Sequence, residues 1–386
     1  MKVALYLHFP FCLQKCRYCS FNSLPLSQIV SHEERMGLTD RYLNALQKEI
    51  SFYADLYADH KWELSSIYCG GGTPTVLNAD SISQVLSCCS RHFHWSADIE
   101  ISVEANPGTV TLEKLKDIKK VGVNRLSLGA QSFHPEELKL LGRTHQAGEI
   151  VESYEAARDA GFDNINLDLI YGLPGQSLAS WSDTLKEALR LSPEHLSVYG
   201  LSLEASTPLA QDIEEGKLEP SSEDLQIAMW EKTAKSMAAA GYVRYEISNY
   251  AQPGRECRHN ITYWENRPYL GVGAGAHGYL ERLRYADESD LQIYMNRVEG
   301  GEFPRVFEER QSDLDERVYT IIMGLRLTKG LSRKCFAERF GRLFEDFYGK
   351  ELSLLVGEGL MGVSEDAIFL TEGGRLLANY VLSHFV

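Results

Sequence analysis

The sequence predicts an α/β protein: a partial (β/α)6 barrel joined to a smaller, mostly helical, winged-helix-like C-terminal domain. Strand-like and helix-like segments alternate through roughly the first two hundred residues, and parallel strands of one sheet need helical crossovers. Six such units precede the end of the alternation near residue 205, short of the eight of a closed barrel. A doubly wound open sheet is the rival, but no GxGxxG run follows the first strand.

The expected strands cover 3–9, 66–69, 99–104, 125–128, 165–170 and 196–203. Amphipathic helices lie between them. Residues 41–57 repeat Tyr42, Leu46, Ile50, Tyr53 and Tyr57 on one face, and 149–160 stop before Gly161, a helix-ending residue. Thr75 and Asn78 are candidate caps for the helix after the second strand. From Thr207 to about Arg310 the pattern is irregular, with two helical stretches and the run GVGAGAHG at 271–278. Residues 313–325 restore a helical period through Leu314, Val318, Ile321, Ile322 and Leu325. Shorter helices and a strand pair near 361–370 complete the last module. The boundaries that follow are 1–206 for the barrel, 207–311 for a connecting region and 312–386 for the C-terminal domain.

A net charge of −15 argues against a large nucleic-acid surface, and 312–386 hold nine Lys/Arg against eleven Asp/Glu, so DNA binding by this module is not expected. No apolar run reaches the eighteen or so residues of a membrane span, and no signal peptide precedes the cysteines. A cytoplasmic, reducing address is expected, where eight cysteines serve as metal ligands or buried hydrophobes more readily than as disulfides.

Chemistry concentrates at strand ends. CLQKCRYCSF, beginning at Cys12, follows the first strand and spaces Cys12, Cys16 and Cys19 at i, i+4 and i+7. Thiolates suit zinc or iron–sulfur clusters, and three on a [4Fe–4S] cube leave one iron open. A zinc site completed by another residue such as His8, or plain burial, are the alternatives on the residues alone. YCGGGTPT, 68–75, ends the second strand with three glycines that admit a close backbone approach or a tight turn. Glu104, Gln131 and Asp168 fall at later strand ends, and Arg143 in LGRTH. HNITYW, 259–264, offers His259 as an axial iron ligand and the flat faces of Tyr263 and Trp264. His277 and Cys257 are nearby alternatives. Cys69, Cys88, Cys89 and Cys335 read as buried small hydrophobes.

The cysteine stretch resembles the CxxxCxxC signature of the radical S-adenosylmethionine (SAM) superfamily, and the fold implied is that superfamily's partial barrel. The resemblance implies a [4Fe–4S] cluster on Cys12, Cys16 and Cys19, with the amino and carboxylate groups of SAM on the open iron. It also implies that one electron cleaves the sulfonium to a 5′-deoxyadenosyl radical. EANP, GxQS, LxRxH and DLIxGLPxQ, all present in this order, are similar to the oxygen-independent coproporphyrinogen-III oxidase group. That likeness implies SAM contacts from Tyr6, Tyr18, Gly71, Gly72, Thr73, Glu104, Gln131, Arg143 and Asp168.

Two departures separate the chain from the oxidases of that group. Phe21 stands where they carry a fourth cysteine, and only Met1 and Lys2 precede the first strand, where they carry a segment that helps cover the substrate. CxxxCxxCxF together with HNxxYW resembles instead the haem chaperone (HemW-type) branch. This implies haem held by His259, Asn260, Tyr263 and Trp264, and delivery to haem-requiring respiratory or other membrane proteins. Transient membrane contact through a partner is the expectation, since no lipid anchor or basic amphipathic helix is visible. The competing expectations are a coproporphyrinogen oxidase that decarboxylates propionates, and a radical SAM enzyme acting on another substrate, such as a haem-degrading methyltransferase. The sequence leaves monomer or homodimer open.

Overall fold

The computed structural model describes residues 1–60 and 62–386. Six parallel strands form its centre: β1 (Lys2–Phe9), β2 (Glu63–Gly71), β3 (His94–Ala105), β4 (Arg125–Gln131), β5 (Ile165–Tyr171) and β6 (His195–Gly200). They lie side by side in chain order, so every crossover steps the same way. Right-handed crossovers stepping one way place all their helices on one face, the barrel arrangement and not the doubly wound one.

The crossover helices include α1 (His32–Leu56), α2 (Ala79–His92), α3 (Leu112–Lys120), α4 (Pro135–Leu140), α5 (Ala147–Asp159) and α6 (Leu178–Leu191). Side-chain caps from Ser31, Asn78, Thr111 and Ser177 accept from backbone N–H groups three residues on. Asn78, not Thr75, therefore caps α2; Thr75 turns its hydroxyl to Thr109, 2.8 Å away. The helix expected from residue 41 starts at His32, because its first turns are mostly exposed and carry no apolar period.

Strand alternation sorts the two faces. In β4 Leu126, Leu128 and Ala130 join the helix-covered core, while Arg125, Ser127, Gly129 and Gln131 face the concave side. Leu167 and Leu169 of β5 and Leu196 and Val198 of β6 pack outward, whereas Asn166, Asp168, His195 and Ser197 face inward. The inner face is thus polar although nearly every residue on it is buried.

The stretch read as irregular holds short strands as well as four helices, two more helices than expected. β7 (Val243–Arg244) and β8 (Asn249–Ala251) extend the sheet antiparallel beyond β6. β9 (Tyr269–Val272) pairs parallel with β1, and β10 (His277–Leu280), β11 (Leu283–Asp287) and β12 (Arg305–Arg310) continue antiparallel from it. The result is a sheet of twelve strands with β12 and β7 at its edges. The same region supplies α7 (Pro208–Glu214), α8 (Glu223–Ala239), α9 (Arg258–Trp264) and α10 (Leu291–Glu299).

A second core lies C-terminal, around Ile321, Phe336, Phe344, Leu355 and Ile368. α11 (Asp313–Gly324), β13 (Leu331–Ser332), α12 (Arg333–Phe340), α13 (Glu345–Gly357), β14 (Met361–Val363) and β15 (Ala367–Leu370) give the winged-helix-like order, with a sheet β13-β15-β14. Two expectations fail here. Leu314 is 55% exposed in the first turn of α11. Cys335 is exposed as well, because its neighbour Phe336, about 100° round the helix, takes the buried position. Cys69, Cys88 and Cys89 are buried as expected.

Candidate functional site

The concave face encloses a cavity of about 560 Å³. At its mouth stands the loop after β1. Cys12, Cys16 and Cys19 are all half-exposed there and line the cavity. Backbone bonds stitch the loop to the end of β2: Gly72 N donates to Phe9 O at 2.9 Å and Thr73 N to Phe11 O at 2.7 Å. The glycine run serves this approach. A Cβ on Gly72 would sit 2.6 Å from Phe11 O, and one on Gly71, whose φ is +107°, 2.3 Å from the His8 ring. Backbone atoms cannot yield as a flexible side chain can, so Gly72→Ala is expected to lower stability by about 1–3 kcal/mol. Denaturant unfolding measures this, and a smaller loss would show that the loop is not pinned to β2.

His8 is not free to ligate a metal. Its Nε2 lies 2.8 Å from Asn22 O and its Nδ1 3.0 Å from the Tyr6 hydroxyl. It positions the loop instead, since Asn22 also donates to Ala274 O and Ser289 O. Among the described residues no three His, Cys, Asp or Glu converge on a single-ion site. A zinc ion bound at about 2.3 Å would draw thiolates together to roughly 3.8 Å, whereas a four-iron cube spreads its cysteines over a larger body. Burial pushes the Cys12 and Cys19 thiols up. Thiolates at this mouth therefore call for a metal's positive charge, with proton release on binding.

Behind the cysteines lies a polar cluster. Arg143 donates to Gly129 O at 2.6 Å, Asn106 Oδ1 at 2.5 Å and Cys16 Sγ at 3.4 Å, and its buried Nε has no partner. Gln131 ends β4 in the left-handed region with φ +65°, a strained state for a residue with a side chain, and it lines the cavity. Glu104 accepts from the Tyr68 hydroxyl at 2.9 Å and from Gly71 N at 3.1 Å. Burial, reinforced by the neighbouring Asp168 carboxylate, pushes its pKa up to about 7. Asp168 is raised by burial too, against bonds from Asn166 at 2.8 Å and Ser127 at 3.2 Å. Two half-buried carboxylates and an orphaned donor on one cavity suit a guest that carries both an amino group and a carboxylate.

The cavity's inner end is closed by α9, which packs on β2. Glu100 accepts from the N–H groups of Arg258 and His259, each at 3.2 Å, and so caps the helix. His259 is buried, with Nδ1 2.9 Å from Ser66 Oγ and Nε2 2.8 Å from the Tyr263 hydroxyl. Burial, with Arg125 nearby, pushes its pKa down to about 3, so the ring stays neutral. With Nδ1–H donated to Ser66, the Nε2 lone pair is held only by a tyrosine hydroxyl. In that tautomer one ring nitrogen is fixed by its hydrogen bond and the other keeps a lone pair, the form of imidazole that ligates a metal. Tyr6, Tyr68 and Tyr263 supply an aromatic wall around it.

The fold thus gathers Tyr6, Tyr18, Gly71, Gly72, Thr73, Glu104, Gln131, Arg143, Asp168, His259, Asn260 and Tyr263 on the same cavity as the cysteines. Trp264 is not among its lining residues; the Arg326 guanidinium stacks 5.0 Å over its ring, joining α9 to the C-terminal domain. His277 is exposed at the start of β10, whereas Cys257 does line the cavity. Sequence reasoning missed Asn106, Arg125, Ser127, Asn166, His195 and Ser197. For all but Asn106, which lies in EANP after the third strand, the signal was present in RLSLGAQ, NLD and HLS, where polar residues alternate with aliphatic ones in largely buried strands.

Comparison with known proteins follows the same division. The Radical SAM superfamily model matches residues 6–188 and the HemN C-terminal domain model residues 313–377. The heme chaperone HemW of Bacillus subtilis (strain 168) is 38% identical across 99% of this chain and 98% of its own length. The heme chaperone HemW of Escherichia coli (strain K12) is 35% identical across 100% and 98%. Among solved structures, the coproporphyrinogen III oxidase HemN from Escherichia coli, described as a radical SAM enzyme, superposes with a TM-score of 0.85. It is 28% identical and the match covers 99% of this chain and 89% of that one.

Proposed function

The chain belongs to the heme chaperone HemW family within the radical SAM superfamily, and from that premise we propose that it is a haem carrier. In this reading Cys12, Cys16 and Cys19 hold a [4Fe–4S] cluster. SAM lies against Tyr6, Tyr18, Gly71, Gly72, Thr73, Glu104, Gln131, Arg143 and Asp168. Haem is held by the α9 segment through His259, Asn260 and Tyr263, while Trp264, stacked under Arg326, ties that segment to the C-terminal domain. The single observation that carries the reading is the meeting of the two motifs: Cys16 at the mouth and His259 at the inner end line one cavity. When bound, the cluster and SAM supply one-electron chemistry and an open coordination site. The chain's own residues bind, orient and shield. The aromatic wall suits a flat macrocycle, and the neutral His259 ring suits an axial ligand.

Delivery to haem-requiring respiratory or other membrane proteins belongs to this proposal, as does a cytoplasmic address with transient membrane contact through the recipient. Among the described residues no helix is long and apolar enough to cross a membrane. A homodimer is compatible with the reading and is tested by light scattering. The test of function is an anaerobic assay of cluster-reconstituted protein with SAM, reductant and either haem or coproporphyrinogen III. The carrier reading expects stoichiometric haem uptake and no protoporphyrinogen; decarboxylated product would replace it with the oxidase reading. The likeness to HemN and the shared SAM-site residues are what favour that second reading.

Glu104 gives the SAM site a pH signature. With its pKa raised to about 7, the carboxyl is mostly neutral at pH 6 and mostly ionised at pH 8. The N–H groups of the SAM amino function donate to the ionised form, so affinity for SAM should rise about tenfold from about pH 6 to about pH 8. Calorimetric titration checks this. In Glu104→Gln binding should be weaker and flat with pH, and an unchanged slope would place the ligand's charge elsewhere.

A further inference from the structure

The cavity holds two arginines in different circumstances. Arg143 has three acceptors within hydrogen-bonding distance. Arg125, at the start of β4, is only 2% exposed, lines the cavity, and has an enclosed Nε with no partner. Among the described residues no acceptor lies within hydrogen-bonding distance of its guanidinium and no carboxylate within ion-pair distance. The carboxylates around it are committed elsewhere. Glu100 accepts from Cys257 Sγ at 3.5 Å and caps α9. Glu104 serves Tyr68 and Gly71, and Asp168 serves Asn166 and Ser127. Ser102, the register partner of Arg125 on β3, also has a buried hydroxyl without a partner. A guanidinium cannot shed its proton at any physiological pH; Glu100 supports its charge at longer range, but the buried Nε meets no acceptor of the chain, so a guest that supplies one is favoured.

We propose that Arg125 anchors a carboxylate-binding subsite on the cavity floor, and that its occupant is a propionate side chain of the bound tetrapyrrole. The assignment rests on the haem-carrier reading. The carboxylate of SAM is the other source of the same chemistry, but in that reading it belongs at the cysteine mouth, on the open iron. A carboxylate meets the planar fork of a guanidinium through two parallel N–H···O bonds, and enclosure strengthens them. The subsite would fix the tetrapyrrole's orientation against the aromatic wall of Tyr6, Tyr68 and Tyr263, whose ring faces do not by themselves distinguish one edge of a macrocycle from another.

The test compares anaerobic binding of haem and of haem dimethyl ester, in which both propionates are masked, to the full-length reconstituted protein. SAM affinity is measured in parallel. Wild type should bind haem at least about tenfold more tightly than the ester, the scale of a charge-assisted hydrogen bond. Arg125→Met should bring the two affinities together, and Arg125→Lys, which keeps the positive charge near Glu104, should retain part of the difference without altering SAM affinity. Thermal melting identifies a misfolded variant, and Arg125→Lys then carries the comparison. Equal binding of haem and ester by wild type, or a difference that survives in Arg125→Met, overturns the subsite. Loss of SAM affinity in Arg125→Met with haem discrimination intact transfers the carboxylate to SAM and overturns the propionate assignment. No haem binding by wild type overturns the carrier reading itself, a result distinct from binding without discrimination.

Discussion

Cys16→Ser is expected to leave the protein without its cluster after anaerobic reconstitution. Serine oxygen is a poor ligand for iron that thiolates hold well, and Cys16 is the middle one of three on a short loop. His8 does not stand by to substitute, since both its nitrogens are engaged with Tyr6 and Asn22. Arg143 would lose the sulfur acceptor at 3.4 Å but keep Asn106 and Gly129, so the cavity should survive. Iron and acid-labile sulfide should fall to background, and SAM binding with them. Cys88→Ser, at a buried position on α2 outside the cavity, is the control and should keep full iron content. Iron retained in Cys16→Ser at the wild-type level would mean that the cysteines are not the cluster's ligands.

The second large effect is expected at His259. Replacing it with alanine removes the proposed axial ligand and leaves Ser66 Oγ and the Tyr263 hydroxyl without their partner. Haem affinity should fall by about ten- to a hundredfold and the Soret band should shift, with stability lower by about 1–3 kcal/mol from the orphaned groups. The pH profile separates ligation from packing. Because the ring's pKa lies near 3, it is neutral throughout the range above about pH 5, and haem affinity in wild type should be flat there. A ligand with an ordinary imidazole pKa of about 6.5 would instead release haem as pH falls through that value. Wild-type spectra unchanged in His259→Ala would move the ligand elsewhere, with Cys257, which lines the same cavity, tested next.

Much of this was legible because the central strands are long, consecutive and chemically two-faced. Each of the six was found from its apolar residues, and the functional groups at their C-terminal ends followed from where βα sheets place ligands. What escaped notice had physical causes. The strands β7 to β12 run from two to six residues, too short for a period to show in most of them. The glycines at 70–72 read as a ligand approach, yet the space a Cβ would need is filled by Phe9, Phe11, His8 and Glu104, contacts made only by the folded chain. Trp264 reads like its neighbours in HNITYW but points to Arg326, because successive residues of a helix face different ways. Arg125 looked like an ordinary strand boundary, and only its burial without a partner singles it out.

The central claim, that the protein carries haem, is tested most directly by titrating haem into cluster-reconstituted protein under anaerobic conditions and following the Soret band. The account predicts saturable, stoichiometric binding far tighter than that of an unrelated protein of similar acidity. Binding no tighter than that control would contradict it and return the cavity to the coproporphyrinogen oxidase reading.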